Sequence, residues 1–214
     1  MTGEAKGHAG REGVIRFRYT LDAPRPAQAL AGLRAAHARG LAEGWLGRDP
    51  ARYEGLAYGN LSERAGTATD NGFWVTASQR IDQATLDESE MVFVAAVDDG
   101  AVTAFGLRPP SSETLTHAAV HAHAPAGPLA VLHGHAPALW AAYERLDWMT
   151  TPPHAANGTR AIARAVADCV RAAPAGGALA MLGHLDGILI WGPDFPDVLE
   201  RLTIAQGALA ENRP

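Results

Sequence analysis

The sequence predicts a layered α/β domain with a largely antiparallel sheet. Three observations carry that expectation. Residues 14–21 alternate with the period of a strand, several apolar runs are too short for helices and end in tight-turn residues, and amphipathic stretches of helical length fall between them. With 214 residues, 47% of them hydrophobic and 19% charged, the chain can bury one medium-sized core. A single domain is expected over 14–214. It is preceded by a Gly-rich polar leader over 1–13, which lacks the apolar stretch of a secretion signal and is expected to be flexible.

Ile15, Phe17, Tyr19 and Leu21 face one way and Arg16, Arg18 and Thr20 the other, the pattern of a half-exposed strand in an antiparallel sheet or at its edge. Pro26 opens a helix whose Leu30, Leu33, His37 and Leu41 form one stripe, and Gly40 suits a left-handed cap near its end. Gly59-Asn60-Leu61-Ser62 and Thr76-Ala77-Ser78-Gln79 look like ordinary turns. Strands are expected over 73–76, 91–97 and 101–105, the last two joined through Asp98-Asp99-Gly100, a strong hairpin signal. A helix follows over about 112–123. Residues 129–135, between Pro128 and Pro137, form an apolar run too short for a helix and rich in branched residues, as in a buried strand. Residues 159–173 form a helix stopped by Pro174, 178–183 and 187–191 a hairpin turned at Asp186-Gly187, and 196–210 a closing amphipathic helix.

Composition excludes several classes. Eighteen Lys and Arg against 23 Asp and Glu give a net charge of -5 with no basic stripe, so no nucleic-acid partner is expected. No apolar run approaches the roughly 20 residues that a membrane-spanning helix needs. The one cysteine, Cys169, cannot form an intramolecular disulfide and suits a reducing cytoplasm.

Six of the nine histidines lie between 117 and 154. On the expected strand, His133 and His135 point to one face roughly 7 Å apart at the backbone, a natural chelating pair. His121 and His123 have the same spacing on a helix, where two residues span roughly 200° around the axis, so they cannot grip one ion. Glu113, His117 and His121 fall at steps of four along one helix face and compete as a helix-only metal site; the strand pair is preferred, and His121→Ala is expected to change little. His184, at a strand end, is the candidate third ligand. Three neutral imidazoles with an open fourth position have the composition of a catalytic zinc site. In Pro109-Pro110-Ser111-Ser112-Glu113 two hydroxyls and free backbone N–H groups gather at a helix start, a cradle for phosphate or carboxylate.

Taken in order, Gly59-Asn60-Leu61-Ser62-Glu63-Arg64, Trp74-Val75-Thr76-Ala77-Ser78, Ser111-Ser112-Glu113 with His117, His133-x-His135, Gly158-Thr159 and His184 resemble the class II aldolase/adducin family over about residues 58–191. The resemblance implies a three-layer α/β/α domain. It implies His133, His135 and His184 as ligands of a zinc ion or another divalent metal, Glu113 as the acid/base, and Asn60, Ser78, Ser111 and Ser112 as holders of a substrate phosphate. The activity it implies is that of a zinc-dependent lyase that makes or breaks a carbon–carbon bond in a small sugar or keto substrate through a metal-stabilised enediolate. A sugar-phosphate 4-epimerase using retro-aldol chemistry and a non-catalytic adducin-like assembly domain are the alternatives. A cytoplasmic homotetramer is implied as well. Two departures stand out: Gln79 occupies the place of a phosphate-turn glycine, and only about thirty residues follow His184, too few to supply the catalytic Tyr of the fuculose-phosphate enzyme's tail.

Overall fold

The computed structural model describes residues 12–26, 30–64, 72–79 and 86–211. In chain order these form strand β1 (Arg18–Asp22), helix α1 (Ala31–Ala42), short strands β2 (Gly47–Arg48) and β3 (Ala57–Tyr58), and strands β4 (Asn60–Arg64), β5 (Phe73–Thr76), β6 (Met91–Asp98) and β7 (Ala101–Phe105). Helix α2 (Thr114–His123), strand β8 (Ala130–His135), short helix α3 (Pro137–Ala141), strand β9 (Met149–Thr151) and helix α4 (Arg160–Ala172) follow. Strands β10 (Gly177–Met181) and β11 (Gly187–Gly192) and helix α5 (Phe195–Ala210) complete the chain.

Nine strands make one sheet in the order β1-β7-β6-β5-β4-β8-β11-β10-β9, while β2 and β3 pair separately. Pairing is antiparallel except at the two edges, where β1 lies parallel to β7 and β9 parallel to β10. The strand expected over 14–21 is thus an edge strand. Asp99 and Gly100 both take positive φ in the β6–β7 turn, as the hairpin signal requires.

Alternation along the strands divides the core into the two faces of an α/β/α sandwich. Leu61, Leu132, Ile188 and Ile190 pack with Leu33 of α1 and Val198 and Leu202 of α5. On the other face Val131, Leu189 and Trp191 pack with Val120 of α2 and Ile162, Val166 and Val170 of α4. Thr159 caps α4, its hydroxyl accepting from the Ile162 amide.

Two local expectations are corrected. Gly40 is no left-handed cap: it lies inside α1, where a Cβ would stand 2.6 Å from Leu46 Cδ1, and the positive φ falls at Gly44. The Gly59-to-Ser62 segment is no ordinary turn, because Asn60 opens a central strand that pairs with both β5 and β8. Only Leu61 in that strand is apolar, so polarity hid it. Residues 1–11 of the leader lie outside the described residues, but Glu12 and Gly13 lie against the site described below. Among the described residues, no helix is long and apolar enough to cross a membrane.

Candidate metal centre and substrate pocket

Alternation along β8 turns His133 and His135, with Val131, toward the face covered by α2 and α4. Gly134 between them faces the opposite side, where a Cβ would stand 3.2 Å from Trp45 Cβ. That close approach lets the Trp45 carbonyl accept from the His135 amide at 2.8 Å. His184 comes from the β10–β11 connection, its amide donating to the Met181 carbonyl and its carbonyl accepting from the Gly187 amide. Ring nitrogens of His133, His135 and His184 lie within 4.8 Å of one another, and the three residues are 0%, 0% and 2% exposed.

These side chains fit a divalent metal. His133 Nδ1 donates to the Ile188 carbonyl at 2.9 Å, which fixes its proton there and leaves Nε2 a bare acceptor. That Nε2, both ring nitrogens of His135, and His184 Nδ1 are buried without a hydrogen-bond partner. Buried ring nitrogens without partners are costly, and one nitrogen from each of the three rings can serve a shared cation. Burial, followed by the electrostatic effect of His184, holds His133 and His135 well below the usual histidine range, so both are neutral, as ligands must be. Burial acts most strongly, to lower His184, but Glu12, Glu113 and Asp186 together outweigh it, and the net shift is upward.

Glu113 directly precedes α2 and is 1% exposed. Its Oε2 accepts from the Thr116 hydroxyl at 2.7 Å, while Oε1 is buried without a partner. Burial raises its pKa; His184 and the Thr116 hydrogen bond oppose the shift without cancelling it. Asn60, Ser78, Ser111 and Ser112 come from separate places along the chain and line one pocket together with Gly59 and Gln79. Gln79 adopts φ 48, the left-handed conformation suited to glycine. Its side chain bonds the Ala57 backbone, accepting from the amide and donating to the carbonyl, each at 3.3 Å.

The helical histidines make a hydrogen-bonded chain instead of the competing metal site. His117 Nε2 donates to Asn60 Oδ1 at 2.5 Å, His117 Nδ1 accepts from the Ser62 hydroxyl at 2.7 Å, and Ser62 Oγ accepts from His121 Nε2 at 2.8 Å. This chain leaves the Asn60 amide nitrogen free to face the pocket. His121 also stacks on Phe73, with ring centroids 4.3 Å apart. It is therefore structural, which corrects the expectation of a silent His121→Ala. That variant should lower stability by about 1–3 kcal/mol, read from urea unfolding, through the lost stacking on Phe73 and the donor lost to Ser62. His123 points elsewhere, bonding the Ala119 carbonyl and Arg171.

The same buried chain sets an acid limit. Burial depresses His117 to about 3 and holds His121 well below its ordinary value. In the unfolded chain both titrate near 6.5, so the stability they confer is present above that pH and is lost as pH falls below it, for His117 down to about 3. Each contributes up to a tenfold drop in the folding constant per pH unit across that window. His133 and His135 act in the same sense and His184 in the opposite one. His117→Gln should reduce the pH slope of urea-unfolding stability between pH 6 and 4 by about one proton.

Sequence reasoning missed three residues that flank the cluster. The Glu12 carboxylate accepts from His184 Nε2 and stands 3.4 Å from His135 Nε2. The Tyr53 ring meets the His135 ring at 4.5 Å, and its hydroxyl donates to Asp186 Oδ2 at 2.9 Å while accepting from Arg52 at 2.8 Å. Tyr53 and Asp186 both take positive φ, backbone strain that collects at functional sites. No motif marks them.

The family model described as "Class II Aldolase and Adducin N-terminal domain" matches residues 50–210. The chain belongs to this family. L-fuculose-1-phosphate aldolase from Thermus thermophilus superposes on this class II aldolase-like domain with a TM-score of 0.61 at 20% identity, covering 84% of this chain and 90% of that one. A sugar-phosphate aldolase from Thermotoga maritima gives 0.62 at 13% identity, over 85% and 95% of the two chains. The N-terminal class II aldolase domain of a conserved protein from Thermoplasma acidophilum gives 0.55 at 17%, over 89% and 97%. At such identities the likeness establishes the class II aldolase fold alone. No curated protein gives a significant match.

Proposed function

We propose that this protein is a metal-dependent lyase of the aldolase type, acting on a small anionic sugar or keto substrate. The observation that carries the reading is the convergence of buried ring nitrogens of His133, His135 and His184 beside the buried carboxyl of Glu113. Three imidazoles with an exchangeable fourth position favour zinc in a catalytic rather than a structural role. When bound, such an ion polarises a ketose carbonyl and its neighbouring hydroxyl.

The protein's own residues supply the rest. The donors of Asn60, Ser78, Ser111 and Ser112 orient the substrate's anionic end, and Asn60 is aimed by the His117–Ser62–His121 chain. Glu113 takes and returns the proton at Oε1, while Thr116 holds Oε2 and so fixes the carboxyl plane. Burial of Asn60, Ser111, Ser112 and Glu113 excludes bulk water from the reacting carbon. A groove of about 350 Å³ lined by Trp45, Arg52, His135, Leu139 and Leu209 adjoins the cluster. A cytoplasmic location and a tetramer accompany this reading, the first supported by the lone Cys169 and the second by the habit of the family.

Elemental analysis of tag-free protein should find about one zinc per chain. The metallated enzyme should then cleave a member of a ketose-phosphate panel or join an aldehyde to dihydroxyacetone phosphate. Conversion without release of an aldehyde would make it an epimerase, and absence of metal would leave the assembly-domain alternative.

A further inference from the structure

The substrate pocket is already filled from within the chain. Glu12 and Gly13 line it beside Asn60, Ser78, Gln79, Ser111 and Ser112. The cavity left beside them measures about 20 Å³, room for a single water and too little for a sugar or a phosphate group. Gly13 holds φ 67 against Gln79, and a Cβ there would stand 1.9 Å from Gln79 Nε2. The glutamine that departs from the family's phosphate turn is thus matched by a glycine that lets the N-terminal backbone lie directly on it. One residue further, the Val14 carbonyl lies 3.6 Å from where a Cβ on Gly158 would be, so the segment continues along the rim of the site. At its head the Glu12 carboxylate, 9% exposed, accepts from His184 Nε2 and faces His135 Nε2.

We propose that residues 12–14 are an intramolecular strap that closes the site, with the Glu12 carboxylate in the ligand position that a substrate oxygen must take. The strap presents the site with what it is built to hold: a carboxylate at the histidines and a short backbone across the anion donors. Substrate binding then requires strap release. The apparent affinity for any small ligand is lowered by the fraction of molecules in which the strap is seated. The occupant also favours substrates that carry an oxygen anion at the metal end, because such a group replaces the Glu12 carboxylate with a donor of the same charge and kind. The metal role of Glu12 rests on the proposed metal site; its covering of the histidines does not.

Two measurements on wild type and Glu12→Ala separate these claims. In chelator-stripped protein, modification by diethylpyrocarbonate read by mass spectrometry should be slow at His184 in wild type. It should rise at least about tenfold in Glu12→Ala, since losing one charge-assisted hydrogen bond shifts a local opening equilibrium by that order. Exposed His154 serves as the internal control. Labelling of wild-type His184 as fast as His154, or equal protection in the variant, would overturn the strap. In cobalt(II)-loaded protein the visible absorption reports coordination number. Glu12→Ala should change the spectrum and speed removal of cobalt by a chelator about tenfold or more, the scale on which groups around a metal tune its hold. An unchanged spectrum and release rate would remove Glu12 from the metal. If wild type bound no cobalt at all, the metal reading would fall while the labelling result still decided whether the strap covers the histidines.

Discussion

His135→Ala is expected to lose its metal and, with it, all metal-dependent stabilisation. The three rings form a nearly equilateral triangle, with centroids 5.2 Å apart for His133 and His135, 4.8 Å for His135 and His184 and 4.9 Å for His133 and His184. Without it the remaining pair lies at one side of the cluster and cannot enclose an ion. Metal binds the folded chain alone, because the unfolded chain has no preformed site. Zinc at about a thousand times its dissociation constant therefore adds roughly 4 kcal/mol to wild type. For a chain of this size each kcal/mol moves Tm by about 2–4 °C, so the zinc-dependent rise should be of order 10 °C. The variant should show none. Its metal-free form need not be much weaker than metal-free wild type, since the substitution leaves a cavity but also removes two buried ring nitrogens that have no hydrogen-bond partner. Thermal scans with and without zinc, paired with elemental analysis, check this. One zinc per chain retained in His135→Ala would remove His135 from the site.

The histidine pair was legible because its strand announces itself: Pro128 and Pro137 bound a run whose length and branching allow only a strand, and a strand's period fixes where two residues at i and i+2 point. Ser111, Ser112 and Glu113 were legible for a related reason, since a Pro-Pro stop followed by hydroxyls marks a helix start. Asn60 was recognised by resemblance, yet its strand was not, because a strand of Asn, Leu, Ser, Glu and Arg carries no apolar alternation. Its polarity is satisfied by the histidines of α2, a tertiary fact no local pattern encodes. Glu12 lay furthest out of reach: its partner His184 is 172 residues away, and a polar, Gly-rich stretch looks the same whether solvated or laid into a pocket.

Glu113→Gln should keep the fold and the metal while losing turnover, which separates a proton carrier from a ligand. Glutamine has nearly the same shape, and its side-chain carbonyl can still accept from the Thr116 hydroxyl, so the end of the side chain keeps its position. Stability at neutral pH should not fall. Burial holds the Glu113 carboxyl above its ordinary range, so whatever stability its neutral form confers is present below about pH 4.5 and fades as pH rises through the folded-state value. A neutral amide escapes that loss. What the amide cannot do is accept and return a proton at the position of Oε1, the buried oxygen that has no partner in the protein. Positioned acid/base groups contribute roughly 10²–10⁴-fold, and kcat should fall by that factor with KM little changed. Metal content, Tm and kcat measured on the same preparation distinguish the roles. Full metal and Tm with lost turnover assign Glu113 to proton transfer, and metal lost together with turnover would make it a ligand of the ion before it is a base.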